Sequence, residues 1–328
     1  MRMQTFIKKL SIVDHLYFFM LAVVFVFYLL AFKKTPYKLP AILVLAGLAA
    51  MLAAMVIARG KNSFGTWQPV ISILYSAVFI LGIFESFFMI LSYFNSYRFD
   101  EVMAGIDYRV FGVNPTVWFE QWTHPVLTDT MYLLYLVYFP MPFFIIIWLF
   151  RKKKFDELAE TIAIFSLAYL GAYIIYFFVP VQGPRFFLDH LQTVPLDGVF
   201  LAPLIRSLVD FCEPNKLDAF PSLHTAVVML SMTLYYRHHK KMFRVFVPIS
   251  VGILISLIYC RYHYVIDMAA GFTWYLIAYF TAAAIFKKFN HKCFPHFGNG
   301  IRGYDKNFKS EIRISKFETN SNDQNSDD

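Results

Sequence analysis

The sequence predicts an all-α integral membrane protein with about eight transmembrane helices. Three observations carry that prediction. Of 328 residues, 58% are hydrophobic, 20% are aromatic and only 16% are charged, too oily a balance for a soluble domain. Apolar runs of about 18 residues or more, the length that crosses a hydrocarbon core, recur along most of the chain. These runs do not alternate polar with apolar residues as barrel strands do, and open strands would leave backbone groups unsatisfied in lipid, so the spans are helices.

In chain order the spans fall at about residues 15–32, 39–58, 69–94, 127–150, 158–180, 221–236, 242–260 and 263–286. The first follows Lys8 and Lys9 in the manner of a signal peptide, but it is long and runs into "FKKTPY" with no small-residue cleavage site. It reads as an uncleaved anchor. From Lys287 the chain turns polar and ends "ETNSNDQNSDD", a stretch with too few apolar groups to offset the entropy of ordering it. A disordered tail is expected there.

Basic residues set the orientation. Arg151, Lys152, Lys153 and Lys154 lie between spans four and five; Arg237, Lys240, Lys241 and Arg244 lie between six and seven; Lys287, Lys288 and Lys292 follow span eight. All three groups fall on one side, together with the amino terminus, and the positive-inside rule makes that side cytoplasmic. Lys33, Lys34 and Lys38 dissent, and the later loops outvote them. The net charge of +8 is thereby a topological and membrane-facing feature, with no nucleic-acid partner implied. Cys212, Cys260 and Cys293 show no paired spacing, so neither a zinc site nor a disulfide framework is indicated.

Two non-cytoplasmic loops are long. The first, about 95–126, contains "DYRVFGVNPTVWFEQWTHP"; Trp118 and Trp122 are four apart, as on one face of a short helix lying in the headgroup zone. The second, 181–220, carries several prolines and the turn signal "QGPR", and reads as an ordered loop.

The polar chemistry gathers at the ends of these loops. "FPSLHTAVV" opens span six with Pro221, favoured in a first helical turn, and places His224 beside backbone N–H groups that attract an anion. Span eight opens with "YCRYHYVIDMAAG". His263 and Asp267 stand at i and i+4, so the carboxylate can accept from one imidazole nitrogen and leave the other as nucleophile or base. A carboxylate near lipid must face the bundle interior. Arg185, just beyond span five, lies at the same depth. Two histidines, an aspartate and one or two arginines at one interface suit phosphoryl transfer without a metal: a histidine attacks phosphorus, the basic groups neutralise its oxygens, and the second histidine protonates the leaving oxygen.

"PSLH" followed about forty residues later by "SLIYCRYHYVID" resembles the second and third signature motifs of the type 2 phosphatidic acid phosphatase superfamily, over about residues 105–286. Within it the chain is most similar to the branch related to inositol phosphorylceramide synthase. The resemblance implies a six-helix phosphatase-type core preceded by extra N-terminal helices, residues 1–104, and followed by the tail, 287–328. It implies His263 as the nucleophile that becomes a phosphohistidine, Asp267 as its orienting partner, His224 as the acid, and Arg185, Arg261 and Ser222 as phosphate ligands. No cofactor and no metal are implied; the partners are the membrane and a lipid phosphate or phospholipid substrate. The family's first motif has a lysine seven residues ahead of an Arg-Pro pair, where this chain has Phe178 and the reversed pair Pro184, Arg185. In the third motif Ser256 matches, Leu257 takes the usual arginine position, and Arg261 lies one turn on. A haloperoxidase, which depends on the full basic set, is not expected.

Other histidines, His124, His190, His238 and His239, read as interfacial or solvated residues. Glu85, in the middle of span three, is an intramembrane charge outside the matched region. The rival function is a channel or transporter, which should spread ionisable groups over several spans near the midplane and show internal repeats. Here they cluster at one interface and no repeat is found, which favours a phosphatase or a headgroup transferase.

Overall fold

The computed structural model describes residues 10–61, 63–64, 67–212 and 216–288. Among them every regular element is a helix, and the tail expected after Lys287 lies almost wholly outside the described residues. Three helices form an N-terminal layer: α1 (Ile12–Ala31), α2 (Lys38–Gly60) and α3 (Gln68–Phe94). Ser11 starts α1 with a capping box closed by Asp14. The same Asp14 receives Arg59 from the end of α2 at 2.6 Å and the Tyr75 hydroxyl of α3 at 3.2 Å, so one buried carboxylate pins three helix ends together.

The interfacial loop folds as α4 (Asp100–Phe111) and α5 (Pro115–Trp118) with a 3-10 turn over Phe119–Trp122. Trp118 and Trp122 meet edge to face, ring centroids 4.2 Å apart, as their spacing predicts. Span four is two helices, α6 (Pro125–Val137) and α7 (Met141–Arg151), bent by 42°. The break falls at Pro140 and Pro142, where two missing N–H groups interrupt the ladder. Then come α8 (Phe155–Phe178), a single turn α9 (Pro184–Phe187), α10 (Leu201–Cys212), α11 (Leu223–His238), α12 (Lys240–Tyr259) and α13 (Val265–Lys288).

One expectation needs correcting. The 181–220 segment is not all loop: α10 lies within it, burying Ala202, Ile205 and Val209 on one face against α6. Among the described residues six helices are long and apolar enough to cross a membrane, or up to seven if the bent α6–α7 pair is one span. Helix α11 stands where the sixth span is expected; its 16 residues rise about 24 Å, and its last turn reaches the first turns of α8 through the Arg237–Glu160 ion pair. It is the buried axis of the bundle, packed by α7, α8, α12 and α13.

The N-terminal layer docks on α8. Tyr17 and Ser166 share a hydrogen bond of 2.9 Å, and at the opposite end Phe27 packs against Phe177 in a tilted contact, centroids 4.0 Å apart. Helix α13 crosses α11 where a Cβ on Gly271 would collide with the Ser222 carbonyl. A glycine there is a requirement of close approach. The Ser222 N–H donates to the Asp267 carbonyl at 3.0 Å, so the first turns of α11 and α13 are locked side by side.

Candidate active site

That lock brings the two histidines together. His224 lies in the first turn of α11, whose N-cap Ser222 accepts from the Thr225 N–H. His263 lies in the tight turn between α12 and α13, where the N–H groups of Tyr262 and His263 both donate to the Leu257 carbonyl. Their ring nitrogens, His224 Nδ1 and His263 Nε2, are 3.0 Å apart. Tyr135 and Tyr138 flank the His224 ring, at centroid distances of 5.0 and 4.3 Å, and fix its plane.

Asp267 stands behind His263. Its Oδ2 is 3.6 Å from His263 Nδ1, close enough for charge to be felt and longer than a hydrogen bond. The same oxygen accepts the Tyr264 N–H at 2.9 Å, which caps α13. His263 therefore turns Nδ1 towards the carboxylate and Nε2 towards His224, as the i, i+4 spacing predicts, although the expected hydrogen bond to Asp267 is not made.

Both histidines line a cavity of about 710 Å³. Around its polar end stand Gln182, Asp210, Lys216, Asp218 and Tyr262; its other walls are mainly apolar stretches of α3, α6, α7 and α8, interrupted by Ser76 and Glu85 of α3 and Ser166 of α8. Arg185 reaches this end at one remove. Its guanidinium forks onto both oxygens of Asp210 at 2.8 and 2.9 Å, and Lys216 donates to the same carboxylate. Burial pushes the Asp210 carboxyl up, but the hydrogen bonds from Arg185 and Lys216 outweigh it and hold the group below the ordinary carboxylate range. Arg185 and Lys216 thus meet on Asp210, and a second carboxylate, Asp218, stands at the same end of the cavity.

A family model described as the PAP2 superfamily matches residues 107–281, more than half of the chain. The chain belongs to the PAP2 superfamily. Comparison with curated proteins and with solved structures gives no match. The PAP2 match takes in α6 to α11, α12, most of α13 and every candidate site residue, and leaves α1 to α3 outside it.

Within this PAP2 core not every sequence-predicted phosphate ligand faces the cavity. Arg261 turns away. It sits in the left-handed backbone region at φ 64°, a conformation that costs an ordinary residue roughly 1 kcal/mol or more, and its guanidinium is held by Glu120 at 2.8 Å, Gln192 at 3.1 Å and the Val194 carbonyl at 2.6 Å. Those contacts fasten the third motif to both interfacial loops. Ser222 is buried and its hydroxyl is engaged in capping α11. Arg185 bonds through its own N–H to the Arg261 carbonyl at 2.8 Å, which ties the first motif to the third.

The residues that sequence reasoning missed come from two places. Lys216 and Asp218 lie in the proline-rich segment just before "PSLH", with no local spacing to connect them to the histidines. Asp100 and Asp107 lie on α4. Asp100 accepts the N–H groups of Gln182 and Gly183 and the Tyr264 hydroxyl; Asp107 accepts those of Val265 and Ile266 at 2.7 and 2.9 Å. Burial raises both carboxyls and the N–H donors pull them partly back. Helix α4 thus holds the motif turns from outside. Their signal was present: two carboxylates seven apart, on one face of a helix, beside segments opening with free N–H groups.

Proposed function

We propose that the protein cleaves phosphate from a lipid phosphate, or transfers its phospho-headgroup, through a phosphohistidine on His263 Nε2. The observation that carries this reading is the 3.0 Å contact between His224 Nδ1 and His263 Nε2 inside a cavity that is polar at the histidines and mainly apolar beyond them. The reacting phosphorus displaces that contact. The Nε2 lone pair of His263 forms the N–P bond, the P–O bond to the lipid breaks, and protonated His224 gives its Nδ1 proton to the departing oxygen. In the second half-reaction neutral His224 takes a proton from water or an alcohol as its oxygen attacks phosphorus, and the N–P bond returns its electrons to His263. Asp267 holds the Nδ1–H tautomer and offsets the charge that His263 acquires. Lys216, which lines the cavity, neutralises the phosphoryl oxygens, and Arg185 supports it from behind through the Asp210 they share.

Among the described residues no group of three or more His, Cys, Asp or Glu side chains is arranged to hold a metal ion, and the chemistry above assigns every charge to a side chain. An alcohol acceptor would make the protein a headgroup transferase of the kind its third motif resembles, and water would make it a phosphatase. Purified protein given a radiolabelled lipid phosphate and quenched in alkali should carry acid-labile label on His263, lost in His263→Ala. Free phosphate and new headgroup lipids, measured in the same reaction with and without chelator, distinguish hydrolysis from transfer. Full activity in His263→Ala would reject the mechanism.

A further inference from the structure

We propose that the cavity below the histidines is a lateral cleft for one long aliphatic chain of the lipid substrate, and that α3, outside the family match, sets the chain length it accepts. This rests on the phosphoryl-transfer reading of the histidine pair and names which part of the molecule reads the rest of the substrate. The first argument is length. The wall contributed by α8 runs from Tyr176, near the histidines, to Ile162, a rise of roughly 21 Å. That exceeds the hydrocarbon half-thickness of about 15 Å, far more depth than a phosphate or a polar headgroup needs.

The second argument is the wall. Beyond the hydrogen-bonded pair of Tyr138 and Tyr169, hydroxyls 3.3 Å apart, the cavity is bordered on the α3 side by Ala77, Ile80 and Leu81 and on the α7 side by Phe143 and Ile146. Leu81 is 62% exposed and Phe143 46% exposed, so both rims reach the outer surface of the bundle. Helix α3 packs on α8, and α7 packs on α8 and α11. The cleft between α3 and α7 therefore has α8 as its floor and opens sideways, towards the depth at which lipid chains lie. Continuity with the histidine pair commits the occupant to a chain whose phosphate is at His263.

Lipid chains are as apolar as most of this wall, which Ser76, Glu85 and Ser166 interrupt, so the cleft gains little from hydrophobicity and must select by fit. Ala77 is the small residue of the α3 wall near the deep end. Forcing extra carbons into filled space costs about 1–3 kcal/mol, or roughly 5- to 150-fold. In full-length protein in nanodiscs, Ala77→Phe should lower kcat/KM for the longest members of a homologous series of alkyl phosphates by that factor relative to the shortest. The optimum should move to shorter chains. A profile parallel to wild type would overturn the proposal. A second readout does not need turnover: an alkyl phosphate carrying a diazirine at its chain end should label α3 near Ala77 or α7 near Ile146, in wild type and in His263→Ala. Labelling scattered over lipid-facing positions, with turnover intact, rejects the cleft and keeps the catalytic reading. Labelling confined to the cleft with no turnover of any phosphate keeps the cleft and rejects the catalytic reading.

Discussion

A single contact between His224 and His263 holds two residues that must part for a phosphate to enter, and their roles differ once they do. In the proposed mechanism His224 protonates the leaving group in the first half-reaction and serves as base in the second. His224→Ala should cut turnover of alkyl phosphates by about 10²–10⁴ and spare much more of the activity on p-nitrophenyl phosphate, whose leaving group is stable as an anion; equal losses on both, with residual activity in His263→Ala, would mean that the roles are exchanged. The cations separate in the same way. Lys216→Ala, at the polar end of the cavity, should raise KM about 10- to 100-fold through loss of a charged hydrogen bond of about 1.5–3 kcal/mol. Arg261→Gln should instead lower the melting temperature, because Glu120 loses its ion pair and keeps only its bonds from Thr193, with kcat falling more than KM changes. The histidines and Asp267 were legible in the sequence because polar residues at regular spacing are rare in so oily a chain. The fate of Arg261 was not, since it is decided by Glu120, Gln192 and Val194, far away along the chain, and by a backbone angle that no local pattern announces.

At the scale of elements, α4 acts as an external brace. Asp107 caps α13 with two N–H bonds, so Asp107→Ala should cost about 0.5–2 kcal/mol and loosen the turn that carries His263. The expected result is a lower melting temperature with a drop in kcat, and only partial restoration in Asp107→Asn, whose single side-chain oxygen can accept from one of the two N–H groups. The Asp210 clamp responds to pH. Its carboxyl lies below the ordinary range, so its contribution is full above the unfolded value of about 3.9 and is lost as pH falls through the lower folded value. Hydrogen-exchange protection of α10 should hold from neutrality to about pH 4 and drop only in stronger acid. Helix positions were readable from apolar runs because a membrane leaves the backbone few alternatives. The break between α6 and α7 could have been read from "YFPMPFF", where two prolines stand inside one apparent span. Helix α10 hid among prolines, although "LIRSLVDF" carries a helical period.

Across the whole molecule, the active-site residues and the basic loop at 151–154 stand at opposite ends of α8, whose 24 residues separate them by roughly 36 Å. If the positive-inside reading holds, the site faces away from the cytoplasm. In a variant with Cys212, Cys260 and Cys293 replaced by serine, an impermeant maleimide applied to sealed cells should label Asp197→Cys at once and Lys153→Cys only after permeabilisation. The reverse order would put the site on the cytoplasmic side. The cavity described above has one polar end and one side facing lipid, and that asymmetry reaches into kinetics. The two products would leave by different exits, phosphate to water and the lipid alcohol back to the bilayer. Inhibition by phosphate should follow its molar concentration in the buffer. Inhibition by the lipid product, like saturation by the substrate, should follow its mole fraction in the membrane and be relieved by adding inert lipid at constant volume.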